Sequence, residues 1–333
     1  MNNNEGKEEE NLGRIPYQAI YHEPQEKEII DELLGMQTRR IFEIPIEEYT
    51  EYEKEKLIEF YEFLKQNNYK IPNKNKSGKY YYANIVRQLQ GTNFDYQKCY
   101  EEIINEILFK NEKLPIEIND DVKNVLNSGF LYVHGRDNCF RPCIIFNPGL
   151  FTSIACSFEN WEKFGVYFFE SLINKYLLPS KFESWNMIVD LGDLKMTNIP
   201  YQLKDIFSPF IGVYRCRLYK LYLLNMNYVF TIAWNIAKMI IGPIVEAKAC
   251  KVDTNDGTYD LLFNSINRNQ IEKKYGGNAE NLKEGQYYPP KFENEHYFCG
   301  NKEEEEKEDL NNIKIDSYKD SDSNLIFYEA KSE

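Results

Sequence analysis

The residue types in this chain limit the chemistry that it can perform. His134, Cys139 and Cys143 lie close together in the sequence, but the C-x-x-C spacing typical of zinc sites is missing, so we expect no metal. The sequence contains no G-x-S-x-G elbow, no Walker phosphate loop and no G-x-G-x-x-G motif. Asp190 has no nucleophile pattern beside it and is interpreted as a strand-capping carboxylate. These observations argue against an enzyme and predict no cofactor.

The distribution of charge points to a different kind of partner. The chain carries a formal net charge of −13, which argues against broad binding to nucleic acid. The acidity is concentrated at 1–12 and 301–310, whereas residues 204–251 hold seven Lys and Arg against two acids. Such a basic patch can hold an anionic lipid surface at about 1 kcal/mol per charge.

The most apolar stretch is residues 221–247, LYLLNMNYVFTIAWNIAKMIIGPIVEA. Its length would suit a bilayer span, which needs about 20 apolar residues. However, Lys238 and three Asn interrupt it, and Gly242-Pro243 would break a helix near its end. The pattern predicts a strand at 218–225 followed by an apolar helix at 231–241, and therefore not a membrane span.

The remaining elements are predicted from hydrophobic periodicity. Helical spacing predicts N-terminal helices at 46–68, 82–90 and 96–110. Beyond them the pattern alternates, with strands at 129–135, 141–147, 184–192, 218–225 and 248–253 and helices at 158–177, 200–210 and 231–241. This alternation predicts an α/β fold, a mainly parallel β-sheet covered by helices.

Four parts of the chain are expected. They are a flexible acidic segment (1–40), a helical subdomain (41–114), the α/β domain (115–282) and an acidic, flexible tail (283–333). The N-terminus has no signal-peptide pattern and the seven Cys are scattered. A cytoplasmic protein with reduced thiols is therefore expected.

Four segments, in order, resemble a known family. They are VRQLQGTNFDYQKC (86–99), GRDNCFRPCIIFNPG (135–149), SWNMIVDLGDL (184–194), and 217–252 with KKYGGNAENL (273–282). Their order and spacing resemble a CRAL-TRIO lipid-binding domain with its helical N-terminal extension. This is the family of the yeast phosphatidylinositol/phosphatidylcholine transfer protein. The resemblance implies a hydrophobic pocket whose floor is the sheet, closed by a mobile gate helix.

The resemblance also implies a set of lipid headgroup residues. Lys248 falls on the Lys of the family's T-x-x-K motif and would be a phosphate partner. Arg217 falls on the Arg that starts the strand motif, and Arg87 on the first Arg of the N-terminal motif. Val245 and Cys216 replace the Thr and Glu of the inositol-recognising pattern.

The pocket and gate residues follow in the same way. Trp185 and Met187 occupy positions that contact the phosphate of the choline lipid in the family, so recognition of that kind is expected to be lost. The other implied pocket and gate residues are Phe230, Trp234, Met239, Ile240, Ile241 and Ile244.

Plainer interpretations of the same residues stay open. Lys248 could be an ordinary surface lysine at the start of a strand. Arg217 could simply pair with an acid of a helix, and Trp234 could be a core residue.

The resemblance implies non-enzymatic binding of one phospholipid, with phosphatidylinositol favoured, and its transfer between membranes or presentation to an enzyme. Transient docking on a membrane surface is part of this expectation. The alternative is a CRAL-TRIO module that binds another small hydrophobe or acts as a regulatory or interaction scaffold. The oligomeric state is not predicted.

Overall fold

The computed structural model describes residues 15–72, 81–198, 201–254 and 259–289. Its N-terminal part contains a β-hairpin and five helices: α1 (Tyr17–Tyr21), α2 (Glu26–Ile29), β1 (Ile30–Leu33), β2 (Met36–Arg39), α3 (Glu51–Gln66), α4 (Tyr81–Gly91) and α5 (Tyr96–Lys113). The three predicted N-terminal helices correspond to α3, α4 and α5.

A capping box begins α3. The Thr50 hydroxyl accepts a hydrogen bond from the Glu53 backbone N–H, and the Glu53 carboxylate accepts one from the Thr50 backbone N–H. The helix then buries apolar side chains at helical spacing against α4 and α5. This shared core includes Leu57, Phe60, Leu64, Ile85, Leu89 and Ile103.

The segment before residue 41 is more structured than the sequence indicated. Residues 15–40, expected to be flexible, form α1, α2 and the antiparallel β1–β2 hairpin, which turns at Leu34-Gly35. The Arg39 backbone N–H donates to Oε1 of Gln90, and Nε2 of Gln90 donates to the Arg39 carbonyl. The hairpin is therefore anchored on α4. Residues 1–14 of the predicted flexible segment lie outside the described residues.

The second part is built on a five-stranded sheet. Its strands, in spatial order, are β3 (Leu131–Arg136), β4 (Pro142–Phe146), β5 (Trp185–Asp190), β6 (Leu218–Leu224) and β7 (Ala249–Lys251). The first pair is antiparallel and the other three pairs are parallel. Its helices are α6 (Asp120–Leu126), α7 (Phe158–Tyr176), α8 (Leu203–Val213), α9 (Phe230–Glu246) and α10 (Asp260–Phe263). The predicted α/β fold is confirmed, with α6 and α10 as additions.

Side chains of successive strand residues point to opposite faces of the sheet. On one face, Tyr132, Ile145, Ile188 and Tyr222 pack against the segment that follows β7, including Tyr275. On the other face, Met187, Val189, Leu221 and Leu223 point toward α9.

The chain segment around residue 288 packs on the domain rather than leaving it. Tyr287 contacts the Tyr132 ring with centroids 4.6 Å apart, and the Tyr288 backbone N–H donates to Oδ1 of Asn127 at 3.1 Å. Residues 290–333 of the predicted acidic tail lie outside the described residues. Within the described ranges, none of the helices is long and apolar enough to cross a membrane.

Candidate functional site: an apolar cavity with a basic end

A cavity of about 1010 Å³ lies between the sheet and α9. This volume is at the upper end of the usual range for ligand pockets, about 300–1,000 Å³. Its walls come from β5, β6, α8 and α9, and it extends along the β1–β2 hairpin and nearby residues of α3, α4 and α5. The walls are mostly apolar. They include Met187, Val189, Leu221, Leu223, Phe207, Phe210, Phe230 and Trp234. The cavity runs from the carboxyl end of β5, at Leu191, to the amino end of β7, at Lys248.

The helix α9 forms the outer wall of the cavity. Before it, Nδ2 of Asn227 donates to the Leu191 and Leu194 carbonyls at 2.9 and 2.8 Å and fixes the turn that leaves β6. Phe230 and Trp234 stack with ring centroids 5.8 Å apart and line the cavity. Since Ile232 on the same helix is 40% exposed, α9 presents apolar side chains both to the cavity and outward.

A kink at Gly242 divides α9. Gly242 has φ 66° and ψ 173°, a conformation essentially restricted to glycine, and Pro243 follows it. Apart from Gly242 itself, its chain neighbours and the nearby helix backbone, no atom of the described part of the chain lies within 4 Å of the position that a Cβ would take at Gly242. Lys238 Nζ lies 3.7 Å from Glu246 Oε1, so an ion pair joins the two sides of the kink. The structure thus has a break at the place where the sequence predicts that Gly242-Pro243 interrupts the helix.

The predicted pocket and gate residues fall around this cavity. Trp185, Met187, Phe230, Trp234, Ile241 and Ile244 line it. The side chains of Met239 and Ile240 lie outside the described part of the structure.

Lys248, Val245 and Cys216 line the other end of the cavity. Lys248 is 7% exposed, and its Nζ donates to the Leu218 carbonyl at 2.5 Å. Burial, together with the nearby charge of Arg40, lowers the pKa of Lys248 to about 8. Lys248 is therefore a buried cation of the cavity at neutral pH, and not an ordinary surface lysine.

Arg87 and Arg217 were expected at the headgroup, but the structure places them elsewhere. Neither lines the cavity. Nη2 of Arg87 donates to Oε2 of Glu183 at 2.7 Å, and Nη2 of Arg217 lies 3.3 Å from Oε1 of Glu43. Arg217 thus follows the plainer interpretation of pairing with an acid, although Glu43 lies in a connecting segment and not in a helix. We call these four residues the paired cluster.

The paired cluster joins the helical subdomain to the sheet. Glu183 is 1% exposed, and its carboxylate also accepts the backbone N–H groups of Phe42 at 3.0 Å and Glu43 at 2.7 Å. Burial raises the pKa of Glu183 against the effect of Arg87. Burial and the charge of Arg87 lower the pKa of Arg217 to about 10. All four charges are used by one another, so this cluster fits a structural role.

Sequence reasoning missed Arg40, which also lines the cavity. It is 3% exposed, its Nε donates to Oδ1 of Asp31 at 2.9 Å, and its guanidinium lies 5.4 Å from the Tyr219 ring centroid. The only sequence signal was the Arg39-Arg40 pair inside an acidic segment. Arg40 brings a second buried cation to the end of the cavity that holds Lys248.

This arrangement can hold an amphiphile. Each methylene group that moves from water to the apolar wall contributes about 0.8 kcal/mol. A hydrogen bond to a charged group contributes about 1.5–3 kcal/mol, so the basic end selects a headgroup more than it provides the affinity.

Part of this chain is similar to known proteins. The crystal structure of Sfh5 aligns with 61% of this chain and 80% of its own, at 14% sequence identity and a TM-score of 0.44. None of the curated proteins matches the chain. The CRAL/TRIO domain model matches residues 126–277, which include all five strands of the sheet, α9 and Lys248. This chain therefore contains a CRAL/TRIO domain, at residues 126–277.

Proposed function

We propose that this protein binds one phospholipid, with phosphatidylinositol the leading candidate, and transfers it between membranes or presents it to an enzyme. The observation that carries the proposal is the apolar cavity of about 1010 Å³ with the buried cation Lys248 at one end. The CRAL/TRIO match supports the coarser statement, binding of a lipid or another small hydrophobic molecule. The proposed function is binding and carriage, without a catalytic step.

The energetics explain why such a carrier needs a gate. Two acyl chains hold about 30 methylenes, and exposing them to water would cost about 24 kcal/mol. The lipid must therefore enter and leave while the cavity is open to a bilayer. We assign the opening to α9, because the kink at Gly242 has free space around it and a backbone that can act as a hinge.

The surface outside α9 supports transient docking on a membrane. Tyr228 in the turn before α9 is 83% exposed, and Ile232 and Ile244 are exposed on the helix itself. Aromatic and aliphatic side chains of this kind insert into the interface between headgroups and acyl chains. The basic excess over residues 204–251 adds attraction to anionic lipid.

Phosphatidylinositol is the first lipid to test because Lys248 occupies the lysine position of the inositol-lipid motif and lines the cavity. Val245 and Cys216 replace the Thr and Glu of that motif. These two departures favour the second candidate, a CRAL/TRIO module for a different small hydrophobe or one that acts as a scaffold. The cavity is not filled by the protein's own side chains, which supports carriage of a ligand over a scaffold role.

Native mass spectrometry of the purified protein, followed by extraction and identification of bound lipid, tests the proposal. Phosphatidylinositol at a one-to-one ratio is the expected result. A different lipid would keep the carrier and discard the specificity. An empty protein that also takes up no lipid from anionic vesicles would overturn the function.

A cavity-filling variant provides the matched control. Leu223→Trp places an indole in the cavity and should remove the bound lipid, whereas Leu261→Trp changes an exposed leucine on α10 that does not line the cavity. Circular dichroism should show that both variants keep the fold. Equal lipid content in the two variants would mean that the lipid is not held in this cavity.

A further inference from the structure

We infer that Arg40 is a second phosphate-binding residue, which acts with Lys248 on the phosphate of a lipid held in the cavity. The inference rests on the proposed function and adds a residue from outside the CRAL/TRIO domain at 126–277. Arg40 directly follows β2, so the N-terminal hairpin segment supplies part of the binding site.

The two cations meet at the first residues of β6. Lys248 donates to the carbonyl of Leu218, the first residue of that strand. Arg40 lies against the ring of Tyr219, the next residue. Both side chains line the same cavity, although one comes from the N-terminal segment and the other from the start of β7.

Both cations have hydrogen-bond donors to spare. An arginine side chain carries five N–H donors and a lysine ammonium three. Of the Arg40 nitrogens, Nε donates to Asp31, and Nη1 and Nη2 donate to no other described residue. Within the described residues, Lys248 Nζ donates to the Leu218 carbonyl alone. Neither Arg40 Nη1 nor Nη2 is a fully buried atom without a partner, so both are accessible, and a ligand with several acceptor oxygens in the cavity can reach them.

The charges around this end favour an anion. Arg40 and Lys248 are two cations, and Asp31 is the carboxylate that faces them. The charge of Arg40 opposes the charged form of Lys248, while Asp31 favours it. A phosphate bound to both cations would remove their mutual repulsion.

Arg39, the residue before Arg40, shows that an arginine at the end of the hairpin is not automatically available to a ligand. Its guanidinium donates twice to the Glu53 carboxylate, at 2.7 Å each, and once to the Ile41 carbonyl. All three side-chain nitrogens of Arg39 therefore have partners within the protein and help to fix the hairpin to α3, whereas Arg40 keeps both terminal nitrogens available.

The phosphate belongs to a lipid because the basic end is continuous with the apolar part of the same cavity. A soluble phosphate ester offers the same oxygens to the two cations and leaves the apolar wall uncovered. Only an anion with acyl chains uses both parts of the site.

Two variants separate phosphate binding from a structural role. Arg40→Gln removes the cation, and Asp31→Asn removes its partner while leaving the cation in place. Uptake is measured from phosphatidylcholine vesicles that contain either phosphatidylinositol or diacylglycerol, which has comparable acyl chains and no phosphate. We expect Arg40→Gln to lower the affinity for phosphatidylinositol by about 10- to 100-fold and to leave diacylglycerol uptake unchanged. Asp31→Asn should bind phosphatidylinositol at least as tightly as the original chain.

Any one of three results would overturn the inference that Arg40 binds the phosphate. If Arg40 only pairs with Asp31, both variants will lose uptake of both lipids to the same degree. If Arg40→Gln does not fold, the Asp31→Asn variant decides: a loss of its phosphatidylinositol uptake is sufficient to reject the inference that Arg40 binds the phosphate. Soluble glycerophosphoinositol that binds as tightly as the lipid would reject the lipid as the source of the phosphate.

Failure of the proposed function gives a different result. In that case the original chain takes up neither lipid. If the original chain takes up both lipids and Arg40→Gln does so equally well, only the assignment of Arg40 fails.

Discussion

Two buried basic clusters lie near each other in the fold, and they differ in how their charge is used. In the paired cluster, Arg87 and Arg217 are matched by Glu43 and Glu183 at distances of 2.7 to 3.4 Å. At the basic end of the cavity, Arg40 pairs with Asp31, and Lys248 pairs with no carboxylate among the residues that the structure describes. The position of a basic residue in a family motif therefore does not show whether its charge is available. The hydrogen-bond and ion-pair partners of the residue show whether its charge is available to a ligand.

The same comparison separates stability from binding. A ligand anion at the paired cluster would have to displace carboxylates that are already in place, so its arginines hold the two parts of the molecule together. The basic end carries two cations for one carboxylate and gains from an added anion. The two clusters share no residue, so each can be altered by its own substitutions.

The largest expected effect comes from the paired cluster. Glu183→Gln leaves two buried arginines with one carboxylate between them. Breaking a buried ion pair in this way costs about 3–5 kcal/mol, which a denaturant titration of the unfolding free energy measures. The control is Glu280→Gln, which removes the exposed partner of Lys273 and should leave the free energy of unfolding nearly unchanged. Equal effects in the two variants would mean that the paired cluster is not structural.

At the basic end of the cavity, removing a charge should not lower the stability of the protein. Lys248→Met removes a cation that burial disfavours, so the free energy of unfolding should stay the same or rise. Transfer of phosphatidylinositol between vesicles should fall by about 10- to 100-fold, because a charged hydrogen bond of about 1.5–3 kcal/mol is lost. Unaltered transfer of phosphatidylinositol would remove Lys248 from the headgroup site.

The smallest expected effect is a dependence on pH. The folded-state pKa of Lys248 is about 8, below its ordinary value of 10.5, so the unfolded chain binds more protons between these values. Stability should therefore rise with pH through this window. Uptake of phosphatidylinositol should fall as pH rises through about 8, because the lysine loses its charge.

Two comparisons check that assignment. Lys248→Met should lack the fall in uptake near pH 8, and diacylglycerol uptake by the original chain should not change there. A parallel fall for diacylglycerol would place the pH effect elsewhere in the molecule.

The sequence predicted those parts of the site that depend on local signals. The strand at 218–225, the apolar helix after it and the break at Gly242-Pro243 follow from periodicity and from two residues that interrupt helices. The partners of Arg217 could not be found in this way, because Glu43 lies 174 positions away. Such a pairing exists only after the chain has folded.

The hairpin was missed for a related reason. Its strands have four residues each, and the sequence IDELLGMQTR shows no clear alternation of apolar and polar residues. The hairpin is held by Gln90 and Glu53, which are distant in sequence. An acidic segment of this kind is typical of flexible chain, and only the docking contacts reveal its structure.

The origin of Arg40 in the N-terminal segment has a consequence for how the protein is made. About 200 residues separate Arg40 from Lys248. At a synthesis rate of about 5–20 residues per second, the ribosome needs roughly 10–40 s to join these two residues to the same chain. The proposed headgroup site is incomplete until Lys248 has been synthesised, so on this proposal a nascent chain cannot load a lipid until nearly all of the domain has emerged.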